Sequence, residues 1–134
     1  MMWTYFIFIF FIKFHWNTIS VLIEIAFLRD AARNFSIFQR RFNSAGVFFK
    51  QNTIDFVVNF ATYTAVDQAE DEQENAQLVN EIATKFLAKA CNEKDIPFIH
   101  ISTDYVFDGT ASEPRIETDQ TNPIGVYGQT KLDG

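Results

Sequence analysis

Apolar and polar positions along the chain predict two buried strands with a long amphipathic helix between them. The first strand covers residues 54–60, an apolar, β-branched run, and the second covers residues 97–101. Between them, apolar residues recur at helical spacing and predict one buried stripe. The stripe consists of Val79, Ile82, Ala83, Phe86, Leu87 and Ala90. A strand, a helix and a second strand in this order predict an α/β fold with a parallel sheet.

The N-terminal segment has a different pattern. Residues 3–12 form an apolar, aromatic run, which is shorter than the ~20 residues that a membrane-spanning helix needs. A basic start and a small-residue cleavage site are both lacking, so the run is not typical of a signal peptide. A β-prone buried strand and a membrane-surface segment both remain open, although no charged face supports the second. We expect no membrane partner and a cytoplasmic location.

Charge and composition divide the chain into two unlike parts. Residues 1–54 carry six Lys/Arg against two acids, whereas residues 55–134 carry five Lys/Arg against fifteen acids. Residues 1–54 also hold eleven of the sixteen Phe. The net charge of −6, without a basic patch in the second part, argues against nucleic-acid binding. The histidines and the single cysteine are widely separated, so no metal site is predicted. Cys91 lies in the helical pattern and is interpreted as buried.

The candidate chemistry lies in two segments, residues 100–109 (H-I-S-T-D-Y-V-F-D-G) and residues 126–131 (V-Y-G-Q-T-K). The first follows the second predicted strand, at the edge where open α/β sheets bind ligands. In the second, Tyr127 and Lys131 share one face if the segment is helical. A nearby cation lowers the pKa of a phenol, which can then exchange a proton with a carbonyl oxygen. Thr103, or less favourably Ser102, is placed to hold that oxygen.

These motifs resemble dTDP-4-dehydrorhamnose reductase, a family of the extended short-chain dehydrogenase/reductase superfamily. The resemblance covers residues 55–134 and is carried by residues 55–67, 100–109, 117–119, 122–123 and 127–132. It implies an α/β fold with a Rossmann-like parallel sheet and flanking helices, incomplete because the C-terminal strands and the substrate lobe are absent. It also implies an oxidoreductase that uses NADPH or NADH to reduce a 4-keto sugar nucleotide to dTDP-L-rhamnose.

The resemblance implies roles for individual residues. Tyr127 would donate a proton to the nascent alkoxide, Lys131 would bind the nicotinamide ribose and favour the phenolate, and Thr103 would hold the keto oxygen. Thr103 and Asp104 would contact the substrate. The residues expected at the cofactor are Asn59, Ala61, Thr62, Tyr63, Thr64, Ile101, Tyr127 and Lys131.

Two further polar residues lie on the predicted core elements. Asn80 stands where extended members of the superfamily often carry an Asn that supports the active site, although it also fits an ordinary helix surface. His100 lies on the second predicted strand and is interpreted as an interior side chain rather than as an acid or base.

The glycine-rich turn with which the family begins is missing from the first part of the chain. Only glycine lets the backbone approach a pyrophosphate closely, and this chain has one glycine before residue 109, namely Gly46. We therefore interpret residues 1–45 as an atypical, non-native segment and residues 46–134 as a partial NAD(P)-binding Rossmann-like domain. We expect the chain to be inactive, or nearly so, on its own.

Two other functions remain open. The regulatory subunit of methionine adenosyltransferase has a similar S-T-D-Y-V-F-D-G block, so a non-catalytic binding subunit is one alternative. Another sugar-nucleotide epimerase or dehydratase of the superfamily is the second, although the S-S-x-x-V-Y block of those enzymes is lacking. For the reductase, the expected partner is a nucleotide-sugar substrate, and a homodimer is compatible with the full-length family member.

Overall fold

The computed structural model describes residues 7–15, 18–26, 47, 49–51 and 53–134. The predicted atypical segment therefore lies partly outside the described residues. The strands are β1 (Ile7–His15), β2 (Thr18–Ala26), β3 (Phe56–Asn59) and β4 (Phe98–His100). The helical elements are α1 (Val66–Ala69), α2 (Gln73–Gln77), a π-helical turn (Leu78–Ile82), α3 (Ala83–Asn92), a 3-10 turn (Asp104–Val106) and α4 (Val126–Asp133).

β3 and β4 form the predicted parallel pair. Val57 lies opposite Phe98 and Asn59 lies opposite His100. The helices α1 to α3 supply the crossover that parallel strands require, because a tight hairpin cannot join them. Parallel pairing brings the carboxyl ends of both strands to the same edge of the sheet. The residues that follow Asn59 and His100 therefore emerge side by side, and the Rossmann-like fold class is confirmed.

A hairpin of β1 and β2 extends the sheet on the other side of β3, in the order β2–β1–β3–β4. β1 runs antiparallel to β3, with Ile12 opposite Phe56. The sheet is therefore mixed, and its antiparallel part was not predicted. β1 confirms that a strand covers part of the N-terminal apolar run, while the predicted burial of that strand stays a prediction. None of the helices that the structure describes is long and apolar enough to cross a membrane.

The crossover helices bury a face that differs in part from the predicted stripe. Val79, Ala83 and Leu87 are buried as expected, but Ile82 is 41% exposed and Phe86 is 39% exposed. The π-helical turn explains the difference, because its wider spacing rotates the residues that follow it relative to an α-helix. Thr84 is buried in their place. Cys91 is buried as predicted, and burial raises the pKa of its thiol to about 11.

The start of α1 differs from the sequence pattern. In the sequence, Asp67 followed three residues later by Glu70 is typical of a helix start with Asp67 as the capping residue. The helix begins two residues earlier, at Val66 with Ala65 in the capping position, and no side chain caps it. Glu70 instead reaches α4, where its carboxylate accepts a hydrogen bond of 2.8 Å from the backbone N–H of Val126. A carboxylate is favourable there, since it satisfies a free N–H at the positive end of the helix dipole.

Gly128 sets how closely α4 approaches the loop after β4. A Cβ atom added at this position would overlap the backbone carbonyl of Tyr105 and lie 3.1 Å from Cβ of Pro123. The carbonyl belongs to the backbone of the 3-10 turn and cannot rotate away as a flexible side chain can. Glycine is therefore required by space, and α4 rests directly on the segment that contains Thr103 and Asp104.

We predict that Gly128→Ala lowers the free energy of unfolding by about 1–3 kcal/mol, because overpacking forces the backbone apart. Urea unfolding followed by circular dichroism measures the change. Gln129→Ala is the matched control, since Gln129 is exposed on the same helix, and we expect a change within about 0.5 kcal/mol there. Equal stability of the two variants would contradict the close packing of α4.

Candidate active site

The chain turns sharply where β3 ends. Asn59 is buried, and its Oδ1 accepts a hydrogen bond of 2.9 Å from the backbone N–H of Ala61. This local bond turns the chain away from the sheet, as Asn side chains commonly do. Ala61 and Tyr63 then enter the core, Thr62 is half-buried and Thr64 is exposed. The predicted cofactor segment is therefore an ordered loop at the carboxyl edge of the sheet.

Asn80 joins this loop to α4. Its side chain is fully buried, and its Oδ1 accepts hydrogen bonds from the N–H of Tyr63 at 2.8 Å and the hydroxyl of Thr62 at 3.0 Å. Its Nδ2 donates to the carbonyl of Tyr63 at 3.3 Å and to Oγ1 of Thr130 at 3.1 Å. Thr130 in turn donates to the carbonyl of Tyr127 at 3.0 Å. Asn80 lies in the π-helical turn, a deviation frequent at functional sites. It is not an ordinary surface residue.

Lys131 extends from α4 to the end of β4. Only 4% of its surface is exposed. Its Nζ donates a hydrogen bond of 2.6 Å to the carbonyl of Ile101 and lies 3.2 Å from Nε2 of His100. Burial lowers the pKa of the Lys131 amine, because removal from water disfavours the charged form. Lys131 and Ile101 were both expected at the coenzyme, but the contact between them was not predicted.

His100 lies between Lys131 and Asn59. Its Nδ1 is 3.1 Å from Nδ2 of Asn59. Burial, followed by the charge of Lys131, lowers the pKa of His100 to about 4, while the backbone carbonyl of Asn59 opposes the shift. The interpretation of His100 as an interior side chain agrees with its contacts. Sequence reasoning missed its contact with Lys131, and only its position directly before the I-S-T-D block could have drawn attention to it.

Tyr127 lies in the first turn of α4, beside a groove. Its half-buried ring contacts the edge of Tyr105, with ring centroids 5.4 Å apart and planes at 77°. The groove has a volume of about 470 Å³. Its lining includes Asp104, Tyr105, Phe107, Ile124 and Tyr127. Asp108 also lines the groove, and an aromatic surface with a few carboxylates is typical of a site for a polar ligand with apolar faces. Tyr105 was not predicted as a site residue.

Thr103 caps the 3-10 turn. Its Oγ1 accepts a hydrogen bond of 3.3 Å from the N–H of Tyr105 and donates one of 3.2 Å to the carboxylate of Asp104. The structure therefore brings Asp104 and Tyr127 to one groove and places Thr103 in contact with Asp104. Lys131 lies at the adjoining strand end. That Thr103, Tyr127 and Lys131 act on one carbonyl group stays a prediction.

The donor groups at the sheet edge fit one end of a nicotinamide coenzyme. The amine of Lys131 and the phenol of Tyr127, one helical turn apart, suit ribose hydroxyls and a carbonyl oxygen. The loop of residues 59–64 lies at the same edge. In the part of the chain that the structure describes, no glycine-rich turn follows a strand, so no such turn is available there to bind the pyrophosphate of the coenzyme. In the same residues, no His, Cys, Asp and Glu side chains are grouped to hold a metal ion.

The parallel strand pair, its helical crossover and the polar strand ends define a Rossmann-like α/β unit with its ligand edge at the carboxyl ends of β3 and β4. Comparison of the sequence with known families identifies the family within this class. The sequence model of the RmlD substrate binding domain matches residues 39–134, and the chain belongs to that family.

Individual relatives agree with the family. The chain is 54% identical over 80 residues to dTDP-4-dehydrorhamnose reductase of Escherichia coli, which covers 60% of this chain and 27% of the relative. The crystal structure of a dTDP-4-dehydrorhamnose reductase from Clostridium acetobutylicum matches with a TM-score of 0.64 and 43% identity, over 66% of this chain and 31% of that one. A Bacillus anthracis dTDP-4-dehydrorhamnose reductase, crystallised in complex with NADP, matches with a TM-score of 0.66 and 32% identity. This match covers 69% of this chain and 33% of that one. The resemblance inferred from the motifs is confirmed, and the chain spans about a third or less of these relatives.

We predict that Asn80→Ala lowers the free energy of unfolding by about 2–4 kcal/mol, because the N–H and carbonyl of Tyr63 lose their buried partner. Asn92→Ala, at an exposed position at the end of α3, is the control and should cost under about 0.5 kcal/mol. Urea unfolding of both variants provides the comparison. A small loss in the Asn80 variant would mean that the buried amide does not connect the loop to α4.

We predict that stability falls as the pH is lowered from 6.5 towards 4, through His100. Its folded pKa of about 4 lies below the ordinary 6.5, so within this window the unfolded chain binds more protons than the folded chain. The contribution is complete above pH 6.5 and is lost on acidification, by roughly 1–2 kcal/mol after allowance for partial exposure. Unfolding at several pH values should show a flatter profile for His100→Gln. Parallel profiles would refute the assignment.

Proposed function

We propose that this chain carries the catalytic segment of an NAD(P)H-dependent dTDP-4-dehydrorhamnose reductase, which forms dTDP-L-rhamnose from the 4-keto sugar nucleotide. The observation that carries the proposal is the position of α4. It holds Lys131 against the end of β4 and Tyr127 beside the groove that Asp104 lines. Reductases of this name are the relatives with the matching sequence and fold.

The proposed chemistry is a reduction by hydride and proton transfer. The bound nicotinamide supplies the hydride to the carbonyl carbon. The phenol of Tyr127 gives its proton to the oxygen as that oxygen becomes an alkoxide, and the proton is replaced from solvent. The hydroxyl of Thr103 donates a hydrogen bond to the same oxygen, where negative charge develops. Asp104 lines the groove and accepts hydrogen bonds from sugar hydroxyls.

Lys131 and the loop after β3 form the proposed coenzyme side of the site. The amine of Lys131 holds the ribose hydroxyls of NADPH or NADH and favours the phenolate form of Tyr127. Asn59, Ala61, Thr62, Tyr63, Thr64 and Ile101 flank the nicotinamide. The short contact between Lys131 and the carbonyl of Ile101 supports this division, because it fixes the amine at the shared strand edge.

Several further properties come with this proposal. Residues 1–45 are an atypical, non-native segment, and residues 46–134 are a partial NAD(P)-binding domain. The chain alone therefore turns over little or no substrate, since no glycine-rich turn follows a strand in the described residues to cradle the pyrophosphate. A cytoplasmic location and a homodimer of the longer protein are the corresponding predictions for the cell.

A chimera tests the proposal. In the Escherichia coli reductase, the matched segment of 80 residues is replaced by residues 55–134 of this chain. We expect oxidation of NADPH that depends on the 4-keto sugar nucleotide. Tyr127→Phe in the chimera should lower kcat by about 100-fold or more, because general acid catalysis contributes at least that much. The unmodified 134-residue chain serves as the inactive reference.

Gln129→Ala is the matched control, since Gln129 is exposed on the same helix as Tyr127. We expect its kcat to stay within about twofold of the parent chimera. Circular dichroism establishes that each variant is folded. A folded chimera without turnover, or full kcat in Tyr127→Phe, would contradict the proposed function.

A further inference from the structure

The segment directly before α4 supplies no cap for that helix. The capping position is held by Gly125, which has no side chain to accept a hydrogen bond. Pro123 and Ile124 carry no polar side-chain atom, and the amide of Asn122 donates to Asp108 at 3.5 Å. The start of a helix leaves backbone N–H groups without partners inside the helix. For α4, the acceptor therefore comes from elsewhere in the fold.

Glu70 supplies this acceptor from the helical crossover. Its Oε1 accepts a hydrogen bond of 2.8 Å from the backbone N–H of Val126, although the two residues lie 56 positions apart. A Cβ atom added to Gly125 would lie 2.9 Å from the same Oε1. A larger residue at position 125 would therefore displace the carboxylate, so the glycine makes room for the distant cap.

Glu70 belongs to a part of the crossover that packs against α4. The preceding residue, Ala69, is fully buried in a cluster against which Val126 and Tyr127 also pack. The backbone carbonyl of Glu70 accepts a hydrogen bond of 3.1 Å from Nε2 of Gln73. Glu70 is therefore fixed at its backbone by the crossover and at its carboxylate by α4.

We propose that Glu70 is a positioning residue for Tyr127, a role that rests on the function proposed above. Tyr127 directly follows Val126, so the hydrogen bond holds the backbone of the turn that carries the phenol. Helix ends fray where their free N–H groups lack partners. Two residues after Val126, the space left by Gly128 lets α4 rest on the backbone carbonyl of Tyr105. The first turn is held by both contacts, and the phenol keeps its place beside the groove.

A cap that only adds stability differs from a positioning contact in its consequences. The stabilising cap leaves the phenol in place as long as the chain is folded. A positioning contact also affects the reaction, because a displacement of about 1 Å can lower a rate by roughly 100-fold. The ion pairs of the described residues do not include Glu70, so its replacement breaks none of them. Effects on the Tyr127 ring and on kcat therefore separate the two roles.

The first test needs no enzymatic activity. NMR of the 134-residue chain records the nuclear Overhauser cross-peaks between the rings of Tyr105 and Tyr127, whose centroids lie 5.4 Å apart. In Glu70→Ala, these cross-peaks should weaken, and hydrogen exchange at the N–H of Val126 should become faster. Glu70→Gln keeps an acceptor oxygen and should preserve both signals.

The matched control is Glu74→Ala, at an exposed position in α2, which should leave the ring cross-peaks unchanged. Glu70→Asp is one methylene shorter and withdraws the carboxylate from Val126, so it replaces Glu70→Ala should that variant not fold. Unchanged cross-peaks in a folded variant without the cap would overturn the proposal. Equal losses in Glu70→Gln would also overturn it.

The second test uses the chimera described above. Glu70→Ala should lower kcat by about 10-fold or more, while KM for NADPH stays within about twofold. In a chimera that already carries Tyr127→Phe, the same substitution should change kcat by less than about twofold, because a residue that acts through the phenol has no effect without it. Equal losses of kcat in the two backgrounds would refute positioning of Tyr127. A chimera without turnover contradicts the proposed function alone, and the ring cross-peaks then decide the role of Glu70.

Discussion

Buried polar atoms need partners, and this requirement ties the strand ends of the molecule to α4. Asn80 receives its partners from the loop after β3 and from Thr130 on α4, while Lys131 finds its own at the end of β4. No buried side-chain nitrogen or oxygen among the described residues lacks a hydrogen bond. Since an unpaired buried group costs about 1–3 kcal/mol, these elements are held together as one unit.

The features that the sequence predicted are those that local patterns encode. The parallel strands and the crossover helix follow from runs and periods of apolar residues. Tyr127 and Lys131 were placed on one helix because their spacing matches a helical turn. Cys91 was expected inside for the same reason. Such patterns need no knowledge of what packs against them.

Other features depend on contacts between distant residues. The contact between His100 and Lys131 joins positions 31 apart, and the hydrogen bond of Asn80 to Thr130 joins positions 50 apart. Neither contact produces a periodic pattern of residues in the sequence. The exposed Ile82 shows a second cause, because a π-helical turn breaks the regular spacing from which the stripe was inferred. The use of Glu70 as a cap for α4 rather than α1 likewise depends on tertiary packing.

The direction of β1 bears on how a coenzyme could be held. A phosphate-binding turn follows the carboxyl end of a parallel strand, at the same edge as the other strand ends. β1 is antiparallel to β3, and Ile9, near its amino end, lies opposite Asn59. The carboxyl end of β1 therefore lies at the opposite edge from Asn59 and Lys131. A turn after β1 could not reach a coenzyme bound beside those residues. Of the two hairpin strands, only β2, which is antiparallel to β1 and hence parallel to β3, has its carboxyl end at that edge.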